Sequence, residues 1–150
     1  ELHCAPHTSH DYFQDCAHRY PLTLKSQQGD DLGERMQHAF DDALGRYQHA
    51  VLMGCDCPSL SVDDLHQALV KLHAEHDAVI APADDGGYVM IGLNELKPRL
   101  FSDMTWGHDQ VMSVTRRRAN ALDLKVYELD SQWDVDTYQD WQRYLELANG

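Results

Sequence analysis

A chain of 150 residues, 43% of them hydrophobic, has material for one folded domain with its own core. Its 25 acidic against 12 basic residues give a formal net charge of -13. That balance excludes a protein that grips nucleic acid by its phosphates, and any phosphate ligand would need a metal bridge or a local Arg.

No apolar run is long enough to cross a bilayer, and the acidic, His-rich start lacks the basic and apolar regions of a signal peptide, so the chain reads as cytoplasmic. Cys4, Cys16, Cys55 and Cys57 show no CxxC spacing and read as free thiols.

Leu2 to Ala5 reads as a strand ended by Pro6, and Tyr12, Phe13, Cys16, Ala17 and Tyr20 recur at helical spacing behind it. Leu22 to Lys25 suits a short strand, followed by a helix carrying Leu32, Met36, Phe40 and Leu44. Ala50 to Gly54 is an apolar strand that delivers Asp56 to its carboxyl end. Ser61 with Asp64 has the form of a capping box ahead of a helix lined by Leu65, Leu69 and Leu72. Ala78 to Pro82 and Tyr88 to Gly92 are strands joined by too few residues for a crossover helix, so they are expected to be antiparallel. A helix from about Asp109 to Leu122 and a strand from Leu124 to Leu129 follow. The last helix starts at Thr137, with Asp140 as its capping partner and Trp141, Tyr144, Leu145 and Ala148 as its buried face. This alternation predicts a single α/β domain over residues 1–150, a mostly parallel sheet covered on both faces with at least one antiparallel strand.

Four loops could carry chemistry: Gly54-Cys55-Asp56-Cys57-Pro58, the segment from Pro82 to Tyr88, Trp106-Gly107-His108-Asp109 and Asp134-Val135-Asp136-Thr137. Three of them follow strand carboxyl ends, where open α/β sheets bind ligands. Carboxylates gathered there without Lys or Arg call for a cation, and oxygen-only ligands favour Mg²⁺ or Mn²⁺.

These motifs, in this order and spacing, and the helix start Asp31-Leu32-Gly33-Glu34-Arg35-Met36, resemble a bacterial family of GT-A-type transferases grouped with the nucleotide-diphospho-sugar transferases. The resemblance implies a three-layer α/β/α GT-A domain that binds a nucleotide sugar or related nucleotide through a divalent metal. By position, Asp56 and Asp136 are similar to the family's metal-binding acids. Asp85 and Asp109 then become the catalytic candidates, binding an acceptor hydroxyl or taking its proton. Gly86, Gly87, Tyr88, Trp106 and Arg35 are the substrate-binding candidates, the two glycines because they admit close backbone approach.

Plainer roles stand beside these: Asp56 and Asp85 as turn residues, Asp109 as a helix cap, Arg35 as a surface group, Trp106 as a loop anchor. Against the family's pattern, Glu1-Leu2-His3-Cys4 matches the second strand, so the expected domain is N-terminally incomplete, without the first strand and nucleotide loop. An open sheet edge or a re-paired sheet should result, and a homodimer is a further expectation. The alternative to a metal-dependent glycosyltransferase is a catalytically silent GT-A-like module; nucleotidyl transfer is the other enzymatic reading.

Overall fold

The computed structural model describes residues 1–148. In chain order its elements are β1 (Leu2–Cys4), α1 (Asp11–Arg19), β2 (Leu24–Ser26), α2 (Leu32–Leu44), β3 (Ala50–Met53), α3 (Val62–Ala74), β4 (Ala78–Pro82) and β5 (Tyr88–Leu93). A 3-10 turn at Pro98–Leu100 leads to α4 (Val111–Ala121), β6 (Val126–Glu128) and α5 (Tyr138–Ala148). No helix among the described residues is long and apolar enough to cross a membrane.

The strands form two sheets, a parallel β1-β2 pair and a four-stranded sheet in the order β3-β5-β4-β6. In the larger sheet β5 runs antiparallel to both β3 and β4, and only β4-β6 is parallel. The parallel share is therefore smaller than the alternation of strands and helices implies. The tight connection Ala83–Gly87 reverses β5 inside the sheet, and one reversed central strand turns two ladders antiparallel.

Alternation along β4 builds a core on each face. Ala78 and Ile80 join Phe40 of α2 and Met112 and Ala119 of α4, while Val79 and Ala81 join Ala68 and Leu72 of α3. A register shift after Ala81 inserts an extra residue in β5, which puts Val89 and Met90 together on the α3 side. The extra residue, Val89, directly follows the loop from Pro82 to Tyr88.

Ion pairs fasten the β1-β2 pair to the end of α2: Lys25 of β2 meets Asp42 of α2 at 3.2 Å, and Glu1, just ahead of β1, meets Arg46, just past α2, at 2.9 Å. Among the described residues β1 and β3 each have a single strand partner. The last helix differs from its sequence reading. Thr137 and Asp140 form the expected cap, but α5 buries none of its residues, and Trp141 and Leu145 are 46% and 41% exposed. Its periodicity marks an apolar face without saying what that face meets.

Candidate functional site

Backbone hydrogen bonds draw three loops to one edge of the four-stranded sheet. The strap 130–136 runs alongside β4's end: Gln132 N–H donates to Pro82 O at 2.8 Å, and Asp84 N–H donates to Gln132 O at 3.0 Å. On its other side Val135 N–H donates to Asp56 O at 3.0 Å, and Ser59 Oγ both accepts from Trp133 N–H and donates to Trp133 O. Trp133 is buried beneath this zipper. The strap is extended there, so Asp134 and Asp136, two residues apart, fall on one side of it.

The result is a cluster of Asp85, Asp134 and Asp136 in which carboxylate oxygens from all three lie within 4.8 Å of one another. Asp134 is half-buried and the other two are exposed. Burial pushes the Asp134 carboxyl above its ordinary range, and the charges of Asp136, Asp85 and Asp56 push it further. Asp56 thus acts on the cluster through its charge, with its carboxylate folded back against Gly54. Asp85 Oδ1 accepts from Gly87 N–H at 2.8 Å, which fixes its side chain at the turn.

The donor set fits a hard divalent cation: three convergent carboxylates and, among the described residues, no thiol or imidazole in the group and no basic side chain within hydrogen-bonding distance of it. Asp136 and Asp85 enter this cluster; Asp134, which the sequence reading passed over, is its most buried member. The signal for it is the Asp-x-Asp spacing on an extended segment.

The other candidates sit elsewhere or serve a local purpose. Gly86, at φ +91°, lies so close to the backbone of Asp109 that a Cβ would strike the Asp109 carbonyl. Its missing side chain accommodates the chain's own approach, reinforced by Met112 N–H donating to Gly86 O at 2.8 Å. Asp109 is exposed and caps nothing, since α4 starts behind Gln110 without a side-chain cap. Tyr88 and Trp106 meet edge-to-face with ring centroids 6.4 Å apart and pack on the α2-α4 core. The indole lies against Gly33, and its buried N–H has no partner. Burial drives the Tyr88 hydroxyl well above its ordinary pKa, and it donates to the Met36 sulfur at 4.0 Å. Arg35 donates to Gly29 O at 3.2 Å and so holds the loop ahead of α2.

Residues 1–108 match the bacterial family described as "Uncharacterized protein conserved in bacteria (DUF2064)". The chain belongs to that family. A crystal structure from Desulfovibrio desulfuricans G20, described as a "putative nucleotide-diphospho-sugar transferase", is 34% identical and superposes with a TM-score of 0.81 over 91% of this chain. The match covers 62% of that protein's length. No curated protein matches the chain. DUF2064 therefore has, in this member, a GT-A-like α/β fold with a mixed sheet.

Proposed function

We propose that this chain is a metal-dependent, glycosyltransferase-like protein that uses a nucleotide-activated sugar, with Mg²⁺ or Mn²⁺ held by Asp85, Asp134 and Asp136. The observation that carries the reading is the uncompensated carboxylate triad at the loop edge, in a fold shared with the D. desulfuricans protein. Three like charges this close cost free energy unless a cation joins them. A bound divalent cation supplies neutralisation of the diphosphate and electrostatic stabilisation of the leaving group. Asp56, held to the strap through its carbonyl, adds negative potential that favours the cation. Asp109, exposed after Gly107 and His108, is the remaining candidate for contact with the acceptor.

Calorimetric titration of the chain with nucleoside diphosphates and nucleotide sugars, with and without Mn²⁺, tests this. Binding should require the cation and be lost in Asp136→Asn. Metal-independent binding, or full Mn²⁺ affinity in Asp136→Asn, would overturn the assignment. The open edges of β1 and β3 favour a second reading, a non-catalytic module that self-associates through them. Concentration-dependent sedimentation without nucleotide binding would support it, and a monomer at micromolar concentration would end it.

A further inference from the structure

The acidic edge repels an anionic substrate, so a phosphorylated ligand needs positive charge from the protein as well as from a cation. Among the described residues Arg143 is the one Lys or Arg that makes an ion pair, hydrogen bond or ring contact with residues 82–88 or 130–137. The chain puts it there by a short path. The Thr137–Asp140 cap fixes the first turn of α5 directly after Asp136, and Arg143 follows Asp140 by three residues on the same helix side.

Its guanidinium carbon lies 4.1 Å from the centroid of the Trp133 ring. Trp133 is a firm platform, 7% exposed and bonded through both backbone groups to Ser59. A stacked guanidinium is positioned by its face, which leaves its in-plane N–H donors free. They are unused here: the nearest carboxylate oxygen, Asp84 Oδ2, is 3.9 Å away, and Asp84 Oδ1 accepts from Ser131 instead. By contrast Arg46, Arg116 and Arg118 spend their donors on carboxylates or carbonyls. Arg143 is 53% exposed, so a ligand can reach it.

We infer that Arg143, stacked on Trp133, is an anion-binding subsite at the same loop edge, its partners Asp84 and Trp133 each directly preceding a triad member in the chain, and takes a phosphoryl group of the substrate. This rests on the cation site proposed above. A planar fork of N–H donors matches phosphate oxygens in pairs, which a lysine's point charge does not. Asp84 holds the guanidinium's charge in the absence of ligand and competes with the anion for it.

The test uses the whole chain in two stages: Mn²⁺ binding followed by its paramagnetic resonance signal, then inorganic pyrophosphate titrated calorimetrically at a fixed excess of Mn²⁺. Arg143→Ala should weaken pyrophosphate binding about 10-fold or more while leaving Mn²⁺ affinity little changed, and Arg143→Lys should fall between. Asp84→Asn keeps an oxygen for Ser131 but removes the competing charge, so it should tighten pyrophosphate binding. The gain should vanish when Asp84→Asn is combined with Arg143→Ala, whereas a gain from relieved repulsion alone would persist and would count against the subsite. Wild-type pyrophosphate affinity in Arg143→Ala, with Mn²⁺ still bound, overturns the subsite alone. Failure of Mn²⁺ to bind the unmodified chain overturns the cation site, and the subsite with it.

Discussion

The two edges of the four-stranded sheet are finished in opposite ways. At the edge where β3 and β4 end, the carboxylates of Asp85, Asp134 and Asp136 are brought together and, among the described residues, none of the three makes an ion pair. At the other, where β3 and β4 begin, Asn94 satisfies three groups at once. Its Nδ2 donates to Leu72 O at 3.0 Å and His76 O at 2.8 Å, and its Oδ1 accepts from His49 Nδ1 at 2.6 Å. With both amide hydrogens committed to carbonyls, the histidine must be the donor, so the chain fixes the ring's tautomer. One edge uses polar groups to close the end of α3 and hold β3, β4 and β5 together. The other uses backbone bonds for closure and leaves its side chains in mutual conflict, a mark of a site built for a ligand.

The largest break in this contrast should come from Asn94→Ala. Removing the amide leaves two carbonyls and an imidazole N–H without their partners in a half-buried position, at a cost of about 3 kcal/mol. Thermal unfolding should fall by roughly 5–10 °C, with Mn²⁺ affinity unchanged. An unaltered midpoint would show that water replaces the amide at no cost. Asp136→Asn should do the reverse. Partners one step removed from a metal commonly contribute 10- to 100-fold to affinity, so loss of a direct ligand should weaken Mn²⁺ binding by about 100-fold or more, with the unfolding midpoint held or raised. A large drop in stability with intact Mn²⁺ binding would reassign Asp136 to the structural side.

Much of the molecule was legible in the sequence. Periodicity and capping boxes located α3 and α5, and the short Ala83–Gly87 connection required an antiparallel pair. The bulge at Val89 was not legible, because a residue added within an apolar run leaves the run apolar. Nor was the separation of β1-β2 from the larger sheet, since strand pairing is a long-range choice and each strand is only 3 residues here. At the candidate site, Asp85 and Asp136 stood out because the family resemblance singles them out within loops that follow strand ends. Asp134 did not, although the spacing that puts it beside Asp136 was visible. What decides its importance is burial, which depends on the Trp133–Ser59 zipper, between residues 74 positions apart. Arg143 was hidden for the same reason: nothing local shows that a surface arginine on α5 stacks over Trp133.

The finest test of the contrast is Asp134→Asn without metal. The Asp134 carboxyl is raised by burial first and by Asp136, Asp85 and Asp56 after that, so its ionised form is less favoured in the folded chain than in the unfolded one. The sign follows from linkage. Its burden on stability is absent below the ordinary carboxylate range, grows as pH rises through the raised folded value, and is complete at neutral pH. Asparagine removes the charge, so in EDTA at pH 7 the variant should unfold roughly 1–3 °C above the wild type, a gain that fades on acidification. Saturating Mn²⁺ should reverse the order, because stabilisation by a ligand grows with its affinity for the folded state and the wild type keeps the full carboxylate set. A variant less stable than the wild type in EDTA would mean that this carboxylate is held for structure, as Asn94 is. The reversal would show that the chain carries the conflict among its acids for the sake of the cation.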